Sequence, residues 1–205
     1  MKQSRALVAS VAVSVLAGVL TASLVLAGSA GASNTLVKVR EFVHAKTTLA
    51  TLHQTVVIPR GRLSGTLNPV TGALKAKLKL PAATTTISLV GIGLAKATFS
   101  IAPTQPVTGK VDFSANTITT TSTFNIDVDS LTAAGTSVNL VGKNCQTSQP
   151  IVMTLTGAFE LVGPSSFSST YTIPPLVHCG LATVALNAVV AGTGNTFDAT
   201  FSPFK

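Results

Sequence analysis

The sequence predicts a single antiparallel all-β domain, a β-sandwich or β-barrel, stapled by one disulfide and preceded by a helical signal peptide. Three observations predict it. Apolar and polar residues alternate with period two in segment after segment, the mark of strands with one buried face. Thr, Val and Ile are plentiful while glutamate occurs only at Glu41 and Glu160, so the composition suits a pleated surface and lacks the usual surface helix former. Gly, Pro and Asn clusters fall between the alternating segments: Asn68-Pro69-Val70-Thr71-Gly72, Pro103 to Pro106, Ala134-Gly135, Gly163-Pro164, Pro174-Pro175 and Gly192-Thr193-Gly194-Asn195. Their φ-permissive, φ-fixing and backbone-bonding side chains mark turns.

Residues 36–57 read mostly as strand. Leu36, Val39 and Val43 also fit a helix, but Thr47-Thr48 and Val56-Val57-Ile58 favour extended backbone. In the next segment Leu74, Ala76, Leu78 and Leu80 face one way and Lys75, Lys77 and Lys79 the other, and the 68–72 turn pairs residues 63–67 with 73–77. Ala95, Ala97, Phe99 and Ile101 form a strand face, followed by Val107, Gly109, Val111 and Phe113. Even positions from Ile118 to Val128 oppose odd positions from Thr117 to Asp129. Ile151, Met153, Leu155, Phe159 and Leu161 line one strand; Phe167, Tyr171 and Ile173 the next; Phe197, Ala199 and Phe201 the last. About ten or more strands at this spacing argue for a sandwich or barrel.

The amino terminus has the three-part layout of a secretory signal. A basic start (Lys2, Arg5) leads into a small, apolar run from Ala6 to Leu26, and Ala30-Gly31-Ala32 supplies the small residues that signal peptidase reads. The expectation is a signal peptide at 1–32, cleavage before Ser33, and one domain at 33–205 in an extracellular or cell-envelope setting. The rival is an uncleaved anchor, because about 20 apolar residues span a bilayer as a helix. Lipidation is excluded, since Ser29 occupies the place of the lipobox cysteine.

Export bears on the two cysteines. An even count in an oxidising compartment predicts a Cys145–Cys179 bridge. It also bears on charge. The chain carries a net +8. Residues 33–110 hold ten Lys and Arg against one acid, Glu41; residues 111–205 hold two Lys and five acids. A basic half of this kind attracts anionic polymers or lipid headgroups. Arg60, Arg62, Lys75, Lys77 and Lys79 form the candidate anionic-partner site; lysines also guard strand edges against mispairing. A nucleic-acid partner is not expected, because no run interleaves basic residues with stacking aromatics.

Catalytic arrangements find little support. His44, His53 and His178 form no H-x-H or H-E-x-x-H pair, so no metal site is read from them. There is no G-x-S-x-G elbow. Gly91-Ile92-Gly93 continues to Lys96 where a dinucleotide fingerprint needs glycine, and Gly109-Lys110 and Gly142-Lys143 lack the rest of a P-loop. Asp127 and Asp129 share a strand face with a row of threonines, but no calcium loop accompanies them. Sugar cleavage also lacks its stacking aromatics, with no Trp and one Tyr in the chain. The same scarcity denies a transmembrane barrel its aromatic girdles. No cofactor and no enzymatic role are expected.

Cys145-Gln146-Thr147 with Pro150, Tyr171-Thr172-Ile173-Pro174 leading to Cys179-Gly180, and Gly194-Asn195-Thr196 resemble uncharacterised secreted β-rich proteins of high-GC Gram-positive (actinobacterial) bacteria. The resemblance spans about residues 60–203 and implies export, a disulfide and a β fold, with no active residues to carry over. The reading from sequence is a secreted, non-enzymatic, envelope-associated binding or structural protein that docks on anionic polymer. The alternative is a carrier that holds a lipid or isoprenoid inside a barrel. Ala76, Ala95, Ala97, Ala185 and Ala199 are the small residues that would leave it room.

Overall fold

Alternation closes into a barrel. In a computed structural model that describes residues 35–89, 91–160 and 163–204, the strands are β1 (Val37–Leu49), β2 (Gln54–Leu67), β3 (Ala73–Lys79), β4 (Ala83–Leu89), β5 (Gly93–Pro103), β6 (Val107–Asp112), β7 (Thr117–Ala133), β8 (Gln146–Thr147), β9 (Ile151–Ala158), β10 (Ser165–Ile173), β11 (Leu176–Val177) and β12 (Gly192–Pro203). One helix, α1 (Thr183–Val190), follows a single 3₁₀ turn. The leader reading at 1–32 and the Leu161 assignment lie outside the described residues.

The hydrogen-bonded order β7-β6-β3-β2-β1-β12-β10-β9 returns to β7, because Thr117–Phe124 pairs on its other side with Ile151–Ala158. The result is a closed eight-stranded antiparallel barrel, the barrel alternative of the sequence reading. Closure removes the exposed strand edges that an open sheet would have to protect. β7 is long enough to leave the barrel: its second half pairs with β5 over Phe124–Ala133, and β5 in turn carries β4.

Two cores result. The barrel interior holds Val43, Ile58, Leu63, Ala76, Val111, Phe124, Met153, Tyr171, Ile173, Phe197 and Ala199, among others. A second core lies under the β4–β5–β7 extension and joins Leu131, Leu176, Leu186, Ala95 and Ala97 to the Cys145–Cys179 disulfide. The bridge follows the expected pairing. It anchors the short β8–β11 ladder, in which Thr147 faces Leu176 and Gln146 faces Val177. Asn187 then ties α1 to this ladder: the Leu176 N–H donates to Asn187 Oδ1 at 2.6 Å, and Asn187 Nδ2 donates to the Leu176 carbonyl at 3.0 Å.

Residues 36–57 are two strands and a turn, with no helix. A bulge interrupts the β1–β2 ladder where Val43 faces Gly61 and Ala45 faces Ile58. Pro59, which has no N–H to give a ladder, falls in it. The extra residue switches the parity of β2. Val56 and Ile58 point inward before it, Gly61 and Leu63 after it, and Arg60 and Arg62 are left outside. On the far side of β2, Gly65 lets β3 approach closely. A Cβ there would overlap the Lys75 carbonyl oxygen and lie 2.5 Å from Ala76 Cα. Backbone cannot give way as a flexible side chain can. Gly65→Ala is therefore expected to destabilise the domain by about 1–3 kcal/mol, measured by chemical denaturation; an unchanged midpoint would contradict the packing described.

Among the described residues no helix is long and apolar enough to cross a membrane. The outer faces of β1–β3 carry cations where a membrane-spanning barrel carries an apolar band.

Candidate functional site

The strand ladders organise the predicted cations. Outward residues lie in rows across β1, β2 and β3. Lys38, Thr66 and Lys75 form one row, Arg40, Ser64 and Lys77 the next, and Phe42, Arg62 and Lys79 the third. Arg60, Arg62, Lys75, Lys77 and Lys79 are all exposed and on the same face. The face reaches further than the sequence reading drew it, because β1 adds Lys38 and Arg40. These two residues are far in sequence from the lysine strand, and register alone brings them alongside.

The acid of this half points the other way. Glu41 lies between Arg40 and Phe42 on β1, and alternation turns it toward the barrel interior, where it lines a cavity. Among the described residues the one ion pair is Lys46 with Asp198, at 3.7 Å. Among the described residues the cations of the three rows thus stand without carboxylate partners, and Arg62 directly opposes Lys79. Like charges opposite one another destabilise a sheet, so an anion placed over this face would relieve repulsion as well as gain attraction.

One part of the surface was missed from sequence. No run interleaves basic and aromatic residues, yet the fold interleaves them in space. The Phe42 and Phe204 rings lie 4.1 Å apart between centroids. The Arg60 guanidinium is 4.7 Å from the Phe42 centroid, and that of Arg62 is 6.0 Å from Phe204. The signal could not be found locally, since Phe204 reaches Phe42 only through the β1–β12 pairing.

The second feature is the barrel end at which β1 begins and β12 ends. A cavity of about 90 Å³ lies there, walled by Leu63, Leu67, Leu74, Met153, Phe167 and Phe197 among others. It is smaller than the roughly 300–1,000 Å³ of sites that enclose a drug-sized or lipid-sized ligand. Of the five alanines expected to leave room, Ala76 and Ala199 lie in the barrel core, Ala95 and Ala97 in the second core, and Ala185 is packed against the latter. The opposite end is closed by polar pairing: Thr47 Oγ1 and Tyr171 Oη are 2.7 Å apart, and the buried Asn195 accepts from the Ala50 N–H and donates to the Gly192 carbonyl.

Burial holds the Glu41 carboxyl above the ordinary carboxylate range. The consequence for stability has a definite sign. A carboxyl whose folded pKa exceeds its unfolded one binds more protons in the folded state. Stability linked to it is present below the unfolded value, about 4.3, and is lost as pH rises through the folded value. Glu41→Gln removes this linkage. The stability of the natural protein minus that of the variant is expected to fall as pH rises from about 4 toward neutrality, measured by denaturation across pH; a difference that rises would contradict it.

The remaining predicted groups stay apart. His44 is exposed on β1, His53 lies in the β1–β2 turn at φ 49°, and His178 beside Cys179 at φ 60°. Asp127 and Asp129 lie on the β7 extension, where Ser100 Oγ donates to Asp129 Oδ1 at 3.1 Å. Burial first and the neighbouring Asp129 charge second raise the Asp127 carboxyl. Among the described residues no three His, Cys, Asp or Glu side chains gather as a metal site would require. No protein family, curated protein or solved structure matches this chain.

Proposed function

We propose that this protein is a secreted, non-enzymatic binding module that docks on anionic polymer of the cell envelope, or on anionic lipid headgroups, through the outer face of β1–β3. The observation that carries this reading is the set of cation rows with no carboxylate partner among the described residues, with the half-domain's one acid turned inward. Such a field draws polyanions from a distance and holds them by many weak contacts. The Arg60–Phe42 and Arg62–Phe204 contacts hold the two guanidinium groups over rings at the edge of the face. Cleavage of the leader at 32 belongs to the same reading, and so does the bacterial-envelope setting implied by the sequence resemblance.

The test uses the secreted protein and vesicles that contain or lack anionic lipid, together with a phosphodiester-linked polyol polymer on a resin. Retention on the anionic surfaces at low salt is expected, with release as sodium chloride rises and no retention on neutral vesicles. Equal retention on neutral and anionic surfaces would contradict the reading.

A further inference from the structure

Helix α1 is apolar on both sides. Inward, Leu186 is buried in the second core, and Asn187 bonds to β11. Outward, Leu181 of the preceding 3₁₀ turn (Gly180–Ala182) is 100% exposed, Val184 is 82% exposed, and Ala188 is exposed too. Spacings of three and four residues put these three on one face. A single exposed leucine is ordinary, but a helix that is apolar all round is normally covered on every side. No Asp, Glu, Lys or Arg occurs from Gly180 to Phe197 to make the outer face a solvated one.

We propose that Leu181, Val184 and Ala188 form a tip that inserts into the acyl layer of an anionic lipid bilayer, with Lys143 at the headgroups.

Shape, area and charge select a bilayer as the occupant. Leu181 at full exposure is a projecting knob. A protein partner would need a pocket shaped to receive it, whereas fluid acyl chains close around any projecting side chain. A second copy of this chain would gain too little contact. Even aromatic side chains bury at most about 250 Å² each, so Leu, Val and Ala fall short of the roughly 800 Å² per partner of a standard interface. Charge agrees with lipid. Lys143 is exposed and pinned beside the tip from both sides. A Cβ on Gly142 would lie 2.8 Å from the His178 carbonyl oxygen, and Cys145 is bridged to Cys179 with their Cα atoms 4.4 Å apart. The segments that meet here, residues 134–145 and 176–191, contain no Asp or Glu. A lysine at this place reaches anionic headgroups while the apolar tip goes deeper. Two or three aliphatic side chains are a marginal anchor by themselves, so insertion requires the anionic surface. The proposal shares anionic lipid with the docking reading but uses a different surface.

The chain has no Trp, so one introduced tryptophan is an unambiguous reporter. In the secreted protein carrying Leu181→Trp, vesicles of phosphatidylcholine and phosphatidylglycerol are expected to shift the emission to the blue, and bromine on their acyl chains to quench it. Phosphatidylcholine alone should do neither. Val57→Trp, at a position 71% exposed on the barrel wall, should stay unquenched. Leu181→Ser and Val184→Ser should each weaken binding to the anionic vesicles about tenfold, the cost of leaving one such side chain in water. Lys143→Gln should weaken it about fivefold. Both serine variants should be retained on the phosphodiester polymer as well as the natural protein is. Polymer retention without acyl-chain quenching of Leu181→Trp would overturn the insertion and leave the docking face standing. Quenching that persists with Lys75→Gln, Lys77→Gln and Lys79→Gln combined, with polymer retention unchanged by those three, would support insertion and remove the docking face. Equal quenching of Val57→Trp, or vesicle affinity unchanged in both serine variants, would overturn the proposal. So would a dimer in sedimentation that Leu181→Ser abolishes, since a second copy would then cover the face.

Discussion

Replacing both Cys145 and Cys179 with alanine is expected to lower the stability of the domain by about 3.5–4 kcal/mol. The bridge closes a loop of sequence separation 34, and the chain-entropy relation for such a loop gives that magnitude. For a domain of this size each kcal/mol corresponds to roughly 2–4 °C, so the midpoint should fall by about 7–16 °C. The loss should also be uneven. The bridge belongs to the second core, with Leu131, Leu176 and Leu186, while the barrel is held by its own ladders and interior. Hydrogen exchange should therefore speed up first in β8, β11 and α1 and least in β1, β2 and β12. An unchanged midpoint, or an equal loss of protection in all strands, would contradict the two-core description.

Lys75→Gln, Lys77→Gln and Lys79→Gln together are expected to weaken binding to anionic vesicles by about two orders of magnitude. A basic residue near an anionic surface contributes about 1 kcal/mol, and these three are exposed on one strand face with no ion pair among the described residues to release them from. Folding should be nearly unaffected, because their side chains leave the barrel and the Arg62–Lys79 repulsion disappears with them. Equal affinity of variant and natural protein would remove β3 from the proposed face.

Much of the barrel was legible because each strand buries one face, and alternation records that directly. Leu74, Ala76, Val111, Ile118, Met153, Phe167 and Phe197 all point inward as the pattern predicts. The lysine face was legible for the same reason. Closure was not. It rests on the pairing of Thr117–Phe124 with Ile151–Ala158, and no local feature distinguishes a barrel from a sandwich when both need the same alternation. Strand β4 was overlooked because Thr84, Thr85 and Thr86 dilute its apolar face of Ala83, Ile87 and Leu89. Helix α1 was overlooked as well. Val184, Val189 and Val190 are poor helix formers, and no side-chain cap marks its start. Its order comes from tertiary contact, through Leu186 in the second core and Asn187 on β11. The aromatic edge of the basic face has the same origin: partners distant in sequence meet only once the ladders are in register.

The docking face is tested most directly by the salt dependence of its binding. Each cation that displaces counterions from a polyanion adds about one to the slope of log affinity against log salt. The natural protein and the Lys75, Lys77 and Lys79 variant should be titrated onto the same phosphodiester polymer across a series of sodium chloride concentrations. The variant's slope is predicted to be shallower by about three, with the two affinities converging at high salt. Parallel lines, whatever their separation, would show that these lysines do not touch the polymer and would contradict the account.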